Sequence, residues 1–120
     1  MKNSIPASVY IITFNEEVNI AASLDRVSEF DEVILVDSGS NDGTLDIAKS
    51  YPNVTTFYKK FLGFSEQKAY ALSLCKNPWV LNIDADELVT EEYIEAIKST
   101  ISEDKVDALE STRTLLRRSK

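Results

Sequence analysis

"WVLNIDADELV", residues 79–89, decides how the chain is to be read. Trp79 to Ile83 has the composition of a buried strand, and it runs directly into Asp84, Asp86 and Glu87. Carboxylates this close repel one another and lose hydration if partly buried. The cluster therefore lies in open solvent or beside something positive. A short apolar strand that ends in polar side chains is the unit of an open α/β sheet, in which ligands bind outside the carboxyl ends of the strands.

The same unit recurs upstream. "SVYIIT" (8–13) reads as a first strand, followed by a helix with Ile20, Leu24 and Val27 as its apolar stripe. Asn15 is placed to cap that helix, with Glu16 and Glu17 in its first turn. "EVILVD" (32–37) is a continuous β-branched run, expected of a strand covered on both faces. After the turn "SGSNDGT" (38–44), Asp42 or Thr44 caps a helix that runs to about Tyr51 and is ended by Pro52. "VTTFY" (54–58) is a third strand, and Ser65 starts a helix carrying Ala69, Leu72 and Cys75 that stops near Pro78. "WVLNID" (79–84) is the fourth strand, and Thr90 caps a helix bearing Ile94, Ile97 and Ile101. Alternation of strands and helices predicts an α/β fold with an open, mostly parallel sheet and helices on both faces. Beyond Glu103 the pattern decays: "KVDALEST" is a candidate fifth strand and "RTLLRRSK" a short basic end.

At 120 residues the chain is one domain's worth, with 43% hydrophobic residues for a core and 28% charged residues for a solvated surface. A net charge of −7 argues against the nucleic-acid backbone as a partner but not against an anionic ligand carried with a divalent cation. The absence of histidine removes Ser-His-Asp triads and His-containing zinc sites. The single Cys75 forms no internal disulfide and reads as a small core residue. No run approaches the ~18–20 apolar residues of a membrane span. The opening "MKNSIPASVYIITF" reads as a strand rather than a signal peptide, so a cytoplasmic protein is expected.

Three strand ends collect the residues with chemistry: Thr13-Phe14-Asn15, Asp37-Ser38-Gly39 and Asp84-Ala85-Asp86. Parallel strands bring all three to one edge. Asp84 and Asp86 are two apart and project to the same side in extended backbone. Together they are a partial site for a hard cation such as Mg²⁺ or Mn²⁺, which keeps waters and takes further oxygens from phosphates. The plainer reading of that pair is a solvated acidic turn. Asp37 either caps the following turn or accepts hydrogen bonds from a nucleoside. Lys68, early in the third helix, is either a surface lysine or a contact to a uracil or phosphate oxygen. With glycine only at Gly39, Gly43 and Gly63, neither G-x-G-x-x-G nor G-x-x-x-x-G-K occurs, which removes nicotinamide and P-loop readings.

In that order, "SVYIITFNEEVNI…L", "FDEVILVDSGSNDGTLDIAKSY" and "LGFSEQKAYALSLCKNPWVLNIDADE" resemble the family-2 glycosyltransferases of GT-A fold, over about residues 7–102. Within them the chain is most similar to the lipopolysaccharide-core β-glucosyltransferases. The resemblance implies a Rossmann-like nucleotide-binding half of a GT-A fold and metal-dependent, inverting transfer of a sugar. Glucose is the expected sugar, passed from a UDP-sugar to a glycan or lipid-linked acceptor such as the lipopolysaccharide core. It further implies that Thr13, Phe14, Asn15 and Glu16 line the nucleotide pocket, that Asp37 binds uracil or ribose, and that Lys68 lies near the same nucleotide. Asp84 and Asp86 match the D-x-D motif, Asp84 toward ribose or sugar and Asp86 on the metal, Mn²⁺ or Mg²⁺.

Two departures accompany it. Ala69 stands where the branch usually has Asn, and the half that supplies the acceptor pocket and the general base has no counterpart after Asp107. Glu87, Glu91 and Glu92 follow the metal motif too closely to reach over the sugar. Residues 1–104 are thus expected to form a nucleotide-sugar-binding half-domain and 105–120 a stub of the acceptor half or a tail, with the catalytic residues unknown. The alternatives are a non-catalytic UDP- and metal-binding fragment and, in another class, a Mg²⁺-binding regulatory α/β domain like the phospho-receivers. The latter lacks its expected aspartate, since the third strand ends in "FYKK". Exposed apolar surface near Leu109, Leu115 and Leu116 predicts self-association, and the terminal Arg113, Arg117, Arg118 and Lys120 suggest a peripheral contact with anionic membrane.

Overall fold

The computed structural model describes residues 4–104, 108–110 and 115–118. Strands β1 (Ile5–Thr13), β2 (Phe30–Asp37), β3 (Val54–Tyr58) and β4 (Trp79–Asp84) are mutually parallel, in the order β3-β2-β1-β4. Helices α1 (Ile20–Asp25), α2 (Thr44–Lys49) and α3 (Phe64–Leu74) connect them, and α4 (Glu91–Glu103) follows β4. Two further strands, β5 (Ala108–Glu110) and β6 (Leu115–Arg118), extend the sheet beyond β4, with β6 antiparallel to both neighbours.

Alternation along the strands divides the interior. Val9, Ile11, Val33, Leu35, Leu81 and Ile83 pack with Ile20 and Leu24 of α1, Ala48 of α2 and Ile94 and Ile97 of α4. Tyr10, Ile34 and Val36 turn the other way and pack with Ala71 of α3, joined by Tyr70, Leu72, Leu74 and Cys75. Both faces are therefore covered, which is why β2 reads as a continuous apolar run.

Three local expectations are corrected. Helix α1 begins at Ile20 with Asn19 at its N-cap and no acidic residue in its first turn. Asn15 does not cap it, because its backbone takes a left-handed φ of 53° and its side-chain oxygen accepts from the Asn41 amide at 2.9 Å. Helix α2 has Gly43 at its N-cap without a side-chain cap; Asp42 instead folds its carboxylate onto the Thr44 amide and hydroxyl. Helix α3 buries Gln67 and Ala71 rather than Ala69, which is exposed, while Leu72 and Cys75 are half-buried as its stripe requires. Ala69 thus faces away from the sheet. Thr90 caps α4 as expected, accepting from the Tyr93 amide at 3.1 Å.

Past Glu103 the candidate fifth strand is present as β5, whereas the basic end departs from expectation by forming β6. Leu116 pairs with Leu81 and Leu109 and is completely buried, and Leu109 packs against the same core. The apolar face expected to drive self-association is not exposed at these two residues, because β5 and β6 close over it. Arg113 and Lys120 lie outside the described residues. Burial also decides the state of Cys75. Its thiol is pushed up to about 12 by desolvation, with Glu32 adding to the shift, so it is protonated at neutral pH.

Two outcomes follow. Leu116→Ala should lower unfolding free energy by about 2–5 kcal/mol in a urea titration; a change within error would mean that β6 is not part of the cooperative unit. Alkylation of Cys75 at neutral pH should be slow in the folded chain and fast in denaturant, followed by mass spectrometry.

Candidate active site

The register of the parallel strands assembles the site. Thr13 lies beside Asp37 across the β1–β2 pair, and Ile12 lies beside Asp84 across β1–β4. Alternation then puts Thr13 and Asp37 on the sheet face that α1, α2 and α4 cover, and Asp84 on the face that α3 covers. The three strand ends do share one edge, as expected, but not one side of the sheet.

Asp37 is almost completely buried, and its carboxylate accepts four hydrogen bonds. Oδ1 takes the Thr13 hydroxyl at 2.7 Å and the Ser40 hydroxyl at 2.6 Å; Oδ2 takes the Gly39 and Ser40 amides at 2.9 and 2.7 Å. Burial on its own would raise the Asp37 pKa, but the Ser40, Thr13 and Gly39 donors outweigh it and hold the carboxyl below its ordinary value. Gly39 closes this turn with a φ of 114°, a conformation that side chains rarely adopt. In this structure Asp37 caps its own turn, the plainer of its two readings.

Around it the loops after β1 and β2 are laced together. The Asn15 amide donates to the Ser40 hydroxyl at 2.7 Å, the Glu16 amide to the Thr44 hydroxyl at 2.8 Å and the Glu17 amide to Asp42 at 3.2 Å. In return, the Gly43 amide donates to the Glu17 carboxylate at 2.5 Å. A Cβ at Gly43 would stand 2.9 Å from that carboxylate oxygen, so the position admits only glycine without displacing Glu17.

Two hollows adjoin on this edge. One, of about 430 Å³, is lined by Thr13, Phe14, Glu16, Ser38, Phe61 and Phe64; Phe61 and Phe64 meet edge to face at 5.1 Å. The other, of about 290 Å³, is lined by Glu16, Phe64, Lys68, Asn82, Asp84 and Asp86. Ile12, Glu16 and Phe64 line both, so the hollows are neighbours. Six expected residues, Thr13, Phe14, Glu16, Lys68, Asp84 and Asp86, are brought together here. Asn15 and Asp37 line neither hollow and act instead in the lacing. Ser38 was read as part of a strand end, whereas Asn82, Phe61 and Phe64 were not singled out from the sequence; the signal for the two phenylalanines was a pair of aromatics flanking Gly63 ahead of a helix.

Asp84 and Asp86 are both exposed, and Ala85 between them is buried. Glu87 folds back, its carboxylate accepting from the Asp84 amide at 3.1 Å. Among the described residues no three His, Cys, Asp or Glu side chains converge to hold an ion by themselves. Two hard oxygen donors at the lip of a cleft, with Lys68 on the same wall, nevertheless suit a divalent cation that completes its shell with water and a substrate's phosphates. The donor set fits Mg²⁺ or Mn²⁺ in that form.

The family model for Glycosyl transferase family 2 matches residues 8–114. The chain belongs to this family. An uncharacterized glycosyltransferase of Rickettsia typhi is 46% identical over 92 residues, 76% of this chain and 31% of the relative. The lipopolysaccharide core biosynthesis glycosyltransferase LpsC of Rhizobium meliloti is 38% identical over 87 residues, 69% of this chain and 32% of LpsC. Among solved structures, the mannosyltransferase PcManGT of Pyrobaculum calidifontis, in complex with GDP-Man and Mn²⁺, has a TM-score of 0.69 and 28% identity. That likeness covers 86% of this chain and 34% of the mannosyltransferase. The chain thus spans about a third of the length of the curated relatives it matches, and its open sheet has the Rossmann-like architecture of GT-A glycosyltransferases.

Asp37 supplies the test of this geometry. Because its folded pKa is depressed, its stabilisation is present above the ordinary carboxylate value of ~3.9 and is lost as pH falls through the lower folded value. Asp37→Asn should cost about 3 kcal/mol at neutral pH and flatten the acid limb of stability against pH, both read by urea unfolding. An unchanged acid limb would show that another group governs it.

Proposed function

We propose that this chain is the nucleotide-sugar-binding part of a metal-dependent, inverting glycosyltransferase. The donor is a UDP-sugar, with glucose the favoured sugar, and the acceptor is a glycan of the lipopolysaccharide-core type. The observation that carries the reading is the adjacency of the two hollows: a partly aromatic one beside the β1 loop shares Ile12, Glu16 and Phe64 with a carboxylate-lined one beside Lys68. A nucleoside has an apolar, stackable end and a charged diphosphate end, and the two hollows match that order. Similarity to LpsC supports the acceptor class, and similarity to a Mn²⁺-containing mannosyltransferase supports the cation.

In this reading Phe14, Thr13 and Ser38 border the base and ribose, and Glu16 sits where the two hollows meet. Asp37 would reach a nucleoside only by giving up the Ser40 hydroxyl, so its first task is to hold the loop. Lys68 offsets negative charge on the phosphates, Asp84 orients ribose or sugar, and Asp86 holds the cation. Bound there, Mn²⁺ or Mg²⁺ would neutralise the diphosphate as it leaves. The base that activates the acceptor hydroxyl is assigned to no residue of this chain. No helix among the described residues is long and apolar enough to cross a membrane. We place the protein in the cytoplasm, with contact to the membrane's inner face through the cations around Arg117.

A second reading keeps the site and removes turnover: this chain binds UDP and metal without transferring sugar. It is favoured by the third of the relatives' length that the chain spans. Calorimetric titration of UDP, with and without Mn²⁺, tests the common core of both. Binding should require or be strengthened by Mn²⁺, exceed that of GDP, and lose its metal dependence in Asp86→Ala. Absence of UDP binding under every condition would end both readings; UDP-sugar hydrolysis or transfer by this chain would end the second.

A further inference from the structure

The D-x-D turn is held from a distance. Ser23, completely buried in the middle of α1, donates its hydroxyl to the Ala85 carbonyl at 2.6 Å. A helical serine ordinarily returns such a bond to its own helix, to the carbonyl four residues back. Here the hydroxyl crosses instead to the peptide that joins the two carboxylates, 62 residues away in sequence. One helical turn on, Arg26 donates its guanidinium to the Val89 carbonyl at 2.9 Å, where the same turn leads into α4. The turn's own bonds, from the Glu87 amide to the Asp84 carbonyl and from the Asp84 amide to the Glu87 carboxylate, close it internally but do not fix it to the sheet.

We propose that Ser23 and Arg26 of α1 are positioning residues for the metal motif. Through the Ala85 and Val89 carbonyls, they set where Asp84 and Asp86 stand relative to the nucleotide hollow. This rests on the reading of Asp84 and Asp86 as a metal and substrate site. Its physical basis is the requirement that a cation with only one or two protein ligands have those ligands pre-placed, since substrate supplies the rest. Neighbours that orient the ligands then govern affinity although they touch neither ion nor substrate. Buried Ala85, between two exposed aspartates, is the pivot. Held at its carbonyl, it leaves both carboxylates outward; released, the peptide can rotate and change where each carboxylate stands. Neither Ser23 nor Arg26 lines the hollows, so each can be changed without touching the ligand.

The test uses the full chain and its Ser23→Ala, Ser23→Thr and Arg26→Ala variants, with two readouts. Calorimetry gives UDP affinity with and without Mn²⁺, and amide hydrogen exchange gives the opening of residues 85–89 against 79–83. Ser23→Ala and Arg26→Ala should each reduce the Mn²⁺-dependent gain in UDP affinity by about tenfold, leave metal-free affinity unchanged, and speed exchange only at 85–89. Ser23→Thr, which keeps the hydroxyl, should restore the gain. Arg26 is exposed, so its variant reports even if the buried Ser23 substitutions unfold the chain. An unchanged gain in folded variants overturns the inference while leaving the metal site standing, as does an equal loss with and without metal. If the wild-type chain shows no Mn²⁺-dependent gain, the metal reading fails first and this inference fails with it.

Discussion

Strand β1 is hydrogen-bonded along both edges and covered on both faces, and every other element takes its position from that arrangement. A parallel strand cannot be joined to its neighbour by a tight turn; each connection must cross over a face of the sheet. Helices therefore cover both sides, α1, α2 and α4 on one and α3 on the other. The crossovers return every one of the four parallel strands with its carboxyl end on the same edge. Ligand chemistry is thus concentrated without any special device: the topology leaves four strand ends and their loops side by side, and residues 13–16, 37–44, 58–64 and 84–89 occupy them.

What converts that edge into a site is the treatment of charge. Asp37 remains ionised though buried, because four donors replace its water. Those donors come from β1 and from the turn after β2, so satisfying one carboxylate also joins two loops. Asp84 and Asp86 are treated in the opposite way, exposed at the lip of a cleft that Lys68 also lines. The first arrangement makes a rigid floor. The second keeps both carboxylates in contact with solvent. The large exposed apolar side chains, among them Phe14, Tyr58, Phe61, Leu62, Phe64 and Leu88, lie in loops or at element ends on this same edge.

Strands β3 and β4 and the Thr90 cap were legible to the residue, because a run of β-branched residues bounded by turn formers leaves little freedom. The placement of Asp84 at the end of an apolar strand was legible in the same way, since the apolar run fixes where the strand stops. Where reading failed, side chains served distant partners. Asn15 has the composition of a helix cap, yet its oxygen goes to Asn41, and the helix waits until Ile20. Helix α3 has little amphipathic contrast, and the residue it buries most deeply besides Ala71 is Gln67, whose amide reaches the Lys59 carbonyl. Asp37 was legible as a capping group for the turn that follows it, but its Thr13 donor was not, since that partner lies on β1 and is distant in sequence. Strand β6 was missed because its short run, two leucines followed by two arginines, has no alternation and follows no helix; only pairing with β4 gives Leu116 a core position.

The opposite facing of Asp37 and Asp84 sets a length. Neighbouring strands in a sheet stand ~4.8 Å apart, so β2 and β4, on either side of β1, end ~10 Å from each other. A molecule that reaches from the loop over Asp37 to the carboxylate of Asp84 must bend across the tip of β1 as over a saddle. A lone phosphate is too short to do so, and a flat rigid ring system cannot follow the change of face. For the nucleotide sugar proposed above, the tip of β1 would be the point over which its flexible diphosphate bends.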